Sequence, residues 1–156
     1  MNNLSLVPLG SLTDTNGKPL VDIQHSPERG LVYVQWFGNL TSREVVQVAR
    51  SYLDIQTKLH NPLLLNDKRL ATGDWSEAME WLEYEWLPAC IHAGLRTIAY
   101  VFSPDMHNQL ASLDFYERVQ QHLHLKLFYD MPAALQWLQQ RSQSSASGFE
   151  AMDTST

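Results

Sequence analysis

The polar residues that follow the third predicted strand are the first candidates for chemistry in this sequence. Asn66 and Asp67 could hold loops by hydrogen bonding to the backbone, and the forked guanidinium of Arg69 could clamp an anion. Ligands of open α/β sheets bind in the crevice outside the carboxyl ends of the strands, where this stretch is expected to lie. The alternative is that Asp67 and Arg69 form a structural pair that braces the loop.

A group of apolar side chains on the outer side of a predicted helix is the second candidate. The helix over 75–93 has a core stripe, and Trp81, Tyr84 and Pro88 fall on another side that is expected to face solvent. Exposed aromatic patches usually mark an interface. Two interpretations stay open: the patch binds a protein partner or a second copy of the chain, or the N-terminal arm covers it.

Recognisable catalytic machinery is missing from the sequence. It contains no Gly-x-Ser-x-Gly nucleophile elbow and no glycine-rich phosphate-binding motif. His122 and His124 are the only close pair of histidines, and their spacing does not suit metal binding on one helix face. The single cysteine, Cys90, is expected on the buried helix stripe as an unreactive thiol. We therefore expect no catalytic residues, no metal and no cofactor, and an enzyme would need a cleft that gathers Asp67, Arg69 and a histidine.

Composition and charge narrow the class of partners. The 156 residues suggest one domain, and the formal net charge of −6 disfavours nucleic acids and anionic membrane surfaces. No apolar run approaches the roughly 20 residues that a membrane-spanning helix needs. The N-terminal residues do not resemble a signal peptide, and one cysteine cannot form an internal disulfide. These features predict a cytoplasmic protein without membrane insertion.

Hydrophobic strands and amphipathic helices alternate along the chain, which predicts an α/β fold. We expect a mostly parallel sheet of four or five strands, an antiparallel N-terminal edge strand and about four helices. Residues 1–19 are expected to be an irregular arm or a short edge strand, 20–141 the folded domain, and 142–156 a disordered tail. The predicted strands are 20–24, 31–37, 63–65, 97–102 and 125–129, with a polar loop over 66–73. The predicted helices are 42–60, 75–93 with a bend at Pro88, 103–122 with an interruption near Ser112, and 132–140.

Three segments together resemble a bacterial group of SpoIIAA-like (STAS-like) domains over roughly residues 20–140. They are the strand over 31–38, the segment Asn-Asp-Lys-Arg at 66–69, and Glu-Trp-Leu-Pro at 85–88 leading to Ala-Gly at 93–94. The resemblance implies successive βα units and a mostly non-catalytic role in docking partner proteins, and some related folds hold an apolar ligand or lipid. The phosphorylatable serine motif of the anti-sigma-factor antagonists is absent here, so Thr72 or Ser76 would be only loose substitutes for it.

Two hypotheses of function follow from these observations. The first is a non-catalytic regulatory or protein-interaction domain that acts through its strand-end loops and the aromatic helix, with another protein or a second copy of the chain (a homodimer) as its partner. The second is a carrier of a small apolar ligand or lipid, with the pocket between the 75–93 helix and the sheet.

Overall fold

Six strands form one mixed sheet in which each strand lies beside its neighbour in the sequence. The computed structural model describes residues 5–141. The pairs β1–β2 and β2–β3 are antiparallel, and β3 to β6 are parallel. The strands are β1 (Val7–Thr13), β2 (Pro19–Ser26), β3 (Leu31–Asn39), β4 (Leu63–Thr72), β5 (Thr97–Val101) and β6 (His124–Phe128). The helices are α1 (Ser42–Leu59), α2 (76–92), α3 (Met106–Val119) and α4 (131–141).

The predicted α/β class is confirmed, and the sheet has six strands where four or five were expected. The additional strand is β1. The sequence predicts either an irregular arm or a short edge strand for this segment. β1 pairs with β2 through two register shifts, and its side chains are almost all exposed. An exposed edge strand buries neither face, so its sequence has no alternation of apolar and polar residues to reveal it. The predicted tail over 142–156 lies outside the described residues.

Helices cover the two faces of the sheet unequally. Helices α1, α2 and α3 pack on one face and form the main hydrophobic core, whereas α4 packs on the other face over a smaller core. Successive residues of a strand point to opposite faces. Strand β4 therefore directs Leu64, Asn66 and Lys68 toward the three-helix face, and Leu65 and Asp67 toward the face that α4 covers.

The polar loop predicted over 66–73 is wrong, because β4 continues as a strand to Thr72. Its second half pairs in parallel with β3 as far as Asn39 and Thr72. The strand ends at Gly73, which has a φ of +98° and lies so close to Leu40 that an added Cβ would stand 2.5 Å from the Leu40 carbonyl oxygen. Two of the polar residues that indicated a loop, Asp67 and Lys68, are instead buried.

Two predicted helices keep their regular form. Helix α1 begins with a capping box, in which Thr41 accepts from the Glu44 N–H and the Glu44 carboxylate accepts from the Thr41 N–H. Helix α3 begins later than predicted, with Asp105 as its N-cap, and ends at Val119. The predicted interruption near Ser112 is wrong, because the helix is continuous there. The Ser112 hydroxyl donates to the Asn108 carbonyl one turn earlier, so it has a partner inside the helix.

Helix α2 changes its pitch along its length. It begins as a 3₁₀ turn (Ser76–Ala78), continues as α-helix (Met79–Trp81), widens to π-helix (Leu82–Trp86) and returns to α-helix (Leu87–His92). Pro88 has no N–H to give to the carbonyl of Tyr84, so the wider turn forms directly before it. In the described part of the chain, no helix is long and apolar enough to cross a membrane.

Candidate functional site

A cavity lies between helix α2 and the three-helix face of the sheet. The cavity volume that the centres of water molecules can occupy is about 40 Å³. On the same measure one water needs about 10–15 Å³, so the cavity has room for a few waters or a small ligand group. Aliphatic side chains from β3, α1, β4 and β5 form part of its wall. Its aromatic lining consists of Trp36, Tyr52, Trp75, Trp86, Tyr100 and Phe115.

Lys68 is the only charged residue among those that line the cavity in the described part of the chain, and its side chain is fully buried at 1% exposure. Its Nζ lies 3.4 Å from the ring centroid of Trp75, 4.6 Å from that of Trp36 and 5.5 Å from that of Tyr100. Within residues 5–141, no carboxylate lies within 4.0 Å of this Nζ. The amine is therefore enclosed by ring faces and has no anionic partner.

Burial lowers the pKa of Lys68 well below its ordinary value, because the charged form loses its hydration. The ring faces offset part of this cost, since a desolvated cation–π contact contributes about 2 kcal/mol. Ring faces accept the three N–H groups of an ammonium poorly, however, and removing an ion from water costs several kcal/mol. Burial therefore favours the neutral amine over the ammonium. A neutral lysine is a nucleophile and a base.

Most polar atoms of the aromatic lining already have partners within the protein. The indole N–H of Trp36 donates to the Asn66 Oδ1 at 2.6 Å, and that of Trp86 donates to the Ala49 carbonyl at 3.0 Å. The Tyr100 hydroxyl and the Ser112 hydroxyl lie 2.6 Å apart. These hydrogen bonds fix the orientation of the rings, so the cavity has a defined shape.

Tyr52 and Trp75 are different, because the Tyr52 hydroxyl and the Trp75 indole N–H are buried and have no hydrogen-bond partner within the described residues. Burial raises the pKa of the Tyr52 hydroxyl well above its usual value, so the group stays protonated and remains a donor. Buried polar groups without a partner are rare in folded proteins. The cavity therefore combines an unpaired amine, an unpaired hydroxyl and an apolar wall.

Asp67 and Arg69, two of the predicted site residues, lie together on the opposite face of β4. The Arg69 Nε and Nη2 donate to the two carboxylate oxygens of Asp67 at 2.9 and 2.8 Å, and the Tyr33 hydroxyl donates to the same carboxylate at 2.7 Å. Burial alone would raise the pKa of the Asp67 carboxyl, but hydrogen bonds from Arg69 and Tyr33 outweigh it and hold that pKa below its usual value. Asp67 and Arg69 therefore form the structural pair that was one of the two interpretations of this segment. Anion binding by Arg69 stays a prediction.

Asn66, the third residue of this predicted set, is separated from Asp67 and Arg69 by the alternation of the strand. Its side chain lines the cavity and orients Trp36. Two polar residues of the cavity, Lys68 and Tyr52, are not among the site residues predicted from the sequence. A signal for Lys68 was present in the alternation of Leu64, Asn66 and Lys68 along one side of a strand. The polar character of the segment outweighed that signal.

The predicted aromatic patch on α2 is only partly exposed. Tyr84 is 67% exposed and Pro88 is also exposed, and together with Ile91 and His122 they border a shallow groove. Trp81 is instead half-buried against the core, with the Arg50 guanidinium 5.3 Å from its ring centroid. A helical wheel with one constant pitch misplaces Trp81 because α2 contains 3₁₀ and π turns.

The N-terminal arm was the alternative explanation for this patch. Residues Val7–Thr13 are hydrogen-bonded to β2 at the edge of the sheet, and none of them lines the groove beside Tyr84. Within the described residues, the arm therefore leaves this groove open.

The two possible phosphorylation positions are both exposed and lie away from the cavity lining. Thr72 ends β4, and its hydroxyl donates to the Asn39 Oδ1 at 3.3 Å. Ser76 opens the 3₁₀ turn of α2, and its N–H donates to the Asp74 carboxylate at 2.9 Å. A phosphorylation switch at either residue stays a prediction. Across residues 5–141, no three His, Cys, Asp or Glu side chains are clustered in a way that could hold a metal ion.

No family model, no curated protein and no solved structure matches this chain significantly. The resemblance to SpoIIAA-like domains therefore stays a prediction, and the function has to be argued from the cavity and the surface of the molecule.

Proposed function

We propose that this protein binds a small, largely apolar ligand in the cavity between α2 and the sheet. The observation that carries this proposal is the presence of two polar groups at the wall of an aromatic cavity. Among the described residues, Lys68 Nζ has no carboxylate within 4.0 Å, and Tyr52 Oη has no hydrogen-bond partner. Small-molecule sites are mostly apolar and contain a few convergent polar groups that orient the ligand. The same location was one of the two hypotheses from the sequence, as the pocket of a carrier.

The wall of the cavity favours a neutral ligand over an anion. The rings of Trp36, Trp75 and Tyr100 face the amine, and the face of an aromatic ring carries partial negative charge. A carboxylate or phosphate beside Lys68 would lie among these faces without water. We therefore propose a neutral ligand with one hydrogen-bonding group, and the Tyr52 hydroxyl is one of the unpaired donors among the lining residues.

The π-helical part of α2 supports the entry of such a ligand. Leu82 and Trp86, at the two ends of the π segment, both line the cavity. π-Helical turns are frequent at functional sites, where they replace the regular ladder of backbone hydrogen bonds. We propose that this segment moves when a ligand enlarges the cavity.

Methyl NMR with butan-1-ol as the probe tests this proposal. We expect saturable shifts of the methyl groups of Val34, Leu64 and Ile98, which line the cavity, and smaller shifts for Leu138, which lies in the other core. Ala49→Leu fills the cavity and should abolish the shifts, whereas Ala134→Leu, the matched change beneath α4, should retain them. Equal shifts in both cores, or shifts that survive Ala49→Leu, would refute binding in this cavity.

A second candidate function is partner binding through the groove beside Tyr84 and Pro88. The exposure of Tyr84 and Pro88 favours it, because exposed aromatic groups are enriched at interfaces. We propose a second copy of the chain as the occupant. Light scattering should then show a dimer that Tyr84→Ala converts to a monomer, and a parent protein that is monomeric at high concentration rules this candidate out.

A cytoplasmic location is also part of the proposal. It is supported by the buried Cys90 thiol, which is unpaired in the described residues, because the fold then has no need of an oxidising compartment.

A further inference from the structure

We propose that Lys68 captures a carbonyl ligand as a reversible imine. This inference rests on the proposed function, because it assigns the ligand of the same cavity to the class of small aldehydes and ketones. The amine is fully buried, it stands at the wall of a cavity, and no carboxylate in the described chain lies within 4.0 Å of it. A lysine desolvated in an apolar pocket is the form in which this side chain reacts with carbonyl compounds.

The bond changes balance without a further reactant. The lone pair of the Lys68 nitrogen attacks the carbonyl carbon, and a C–N single bond forms as the C=O double bond opens. The resulting carbinolamine loses its oxygen as water, which takes both hydrogens of the original amine, and a C=N bond remains. Adding water reverses each step, so the ligand can be released unchanged.

The surroundings of Lys68 suit both the reactant and the product. Burial lowers the pKa of Lys68 and so favours the neutral amine, which is the form that attacks a carbonyl group. Once formed, the imine can accept a proton, and the faces of Trp36, Trp75 and Tyr100 then stabilise the resulting cation. Tyr52 lines the same cavity and keeps its proton, so it can donate a hydrogen bond to the carbonyl oxygen as negative charge develops there.

Few titratable groups in the cavity compete with Lys68. Those that face it are Tyr52 from α1 and Tyr100 from β5, and burial raises the pKa of both hydroxyls. Helices α2 and α3 contribute only uncharged side chains to the lining, and no histidine or carboxylate of the described chain is part of it. The pH dependence of imine formation should therefore report the titration of Lys68.

Reductive trapping with butanal and cyanoborohydride at neutral pH tests the inference, with peptide mapping by mass spectrometry. We expect a butyl group on Lys68 before the other lysines, Lys18, Lys58 and Lys126, because those side chains are exposed to water whereas Lys68 is desolvated. Lys68→Met should abolish the fast labelling, and Lys126→Met should leave it unchanged. The mapping on the parent protein decides the matter even if Lys68→Met folds poorly.

The unreactive butan-1-ol separates the failure of this inference from the failure of the proposed function. If butan-1-ol shifts the methyl groups of the cavity while butanal labels only the exposed lysines, the imine is refuted and the binding function stands. If neither compound reaches the cavity, both proposals fall.

The role of Tyr52 has its own variant. Tyr52→Phe should slow the labelling of Lys68 by roughly 100-fold, as expected for the loss of a proton donor. Tyr33→Phe, which removes a hydroxyl on the opposite face of the sheet, should not slow it. An unchanged rate in Tyr52→Phe would show that this hydroxyl takes no part.

Discussion

Asp67 and Lys68 are adjacent on β4, each is 1% exposed, and their surroundings are opposite. Asp67 accepts hydrogen bonds from Tyr33 and Arg69, whereas Lys68 meets ring faces and a cavity. A single strand can therefore place one charged side chain with hydrogen-bond partners on one face of a sheet, and another without an anionic partner on the other face. The first contributes to stability, and the second reduces stability and is available for chemistry.

Removing the satisfied charge should have the largest effect. Asp67→Ala deletes the acceptor of Tyr33 and of Arg69, and the half-buried Tyr33 hydroxyl cannot recover a partner as easily as the guanidinium, which is 40% exposed. We expect a loss of about 3 kcal/mol in the free energy of unfolding, measured with urea. Asp22→Ala, at an exposed position of β2, is the control and should change stability by less than about 0.5 kcal/mol. Equal losses in the two variants would contradict the distinction.

Removing the unsatisfied charge should act in the opposite direction. Lys68→Met eliminates the desolvated amine and keeps an unbranched side chain that is one heavy atom shorter, so we expect a gain of about 1–2 kcal/mol at neutral pH. Urea unfolding of the parent and the variant measures it, with Lys126→Met as the exposed control. A loss of stability would mean that the ring faces hold the ammonium better than water does.

The pH dependence of stability sharpens the same contrast. The pKa of Lys68 is lower in the folded state than the ordinary 10.5, so the unfolded chain binds one more proton in the interval between the two values. Stability therefore rises with pH across that interval, by at most about 1.4 kcal/mol per pH unit, and falls as the pH is lowered through it. The difference between the parent and Lys68→Met should shrink as the pH rises above neutral. A difference that does not vary with pH would show that the amine stays protonated.

Two tyrosines provide the smallest test. Tyr33→Phe removes a hydrogen bond to a charged acceptor and should cost about 1.5 kcal/mol, whereas Tyr52→Phe removes an unpaired buried hydroxyl and should gain about 1 kcal/mol. The readout is the urea midpoint of each variant against the parent. Changes of the same sign would remove the distinction between the two faces.

Periodicity was sufficient to predict much of the architecture. The amphipathic pattern predicted α1, and the apolar runs near 31–37, 63–65 and 97–102 marked three of the central strands. The order of strands and helices then gave the α/β class. These elements have one or two buried faces, so their hydrophobic pattern is directly visible in the sequence.

The second half of β4 and the surroundings of Lys68 could not be predicted from the sequence, because they depend on long-range contacts. Strand β4 continues past Leu65 because Tyr33 reaches Asp67 from β3 and because Trp36, Trp75 and Tyr100 come from three distant segments to surround Lys68. Local sequence indicates a loop where polar residues follow one another, and only the folded chain brings their partners near. The partial burial of Trp81 was not predicted for a related reason, since the sequence does not reveal the changes of pitch in α2.

The order of the strands has a consequence for how the chain folds. Each strand pairs with the one before it, so no pairing has to wait for a distant part of the polypeptide. The turn over 14–18 and the turn over 27–30 close two hairpins, and each later strand then needs only one helical crossover to reach the growing edge. Short separations between contacting residues lower the entropic cost of forming the transition state. The sheet can therefore assemble progressively from β1 toward β6, in the direction in which a ribosome releases the chain.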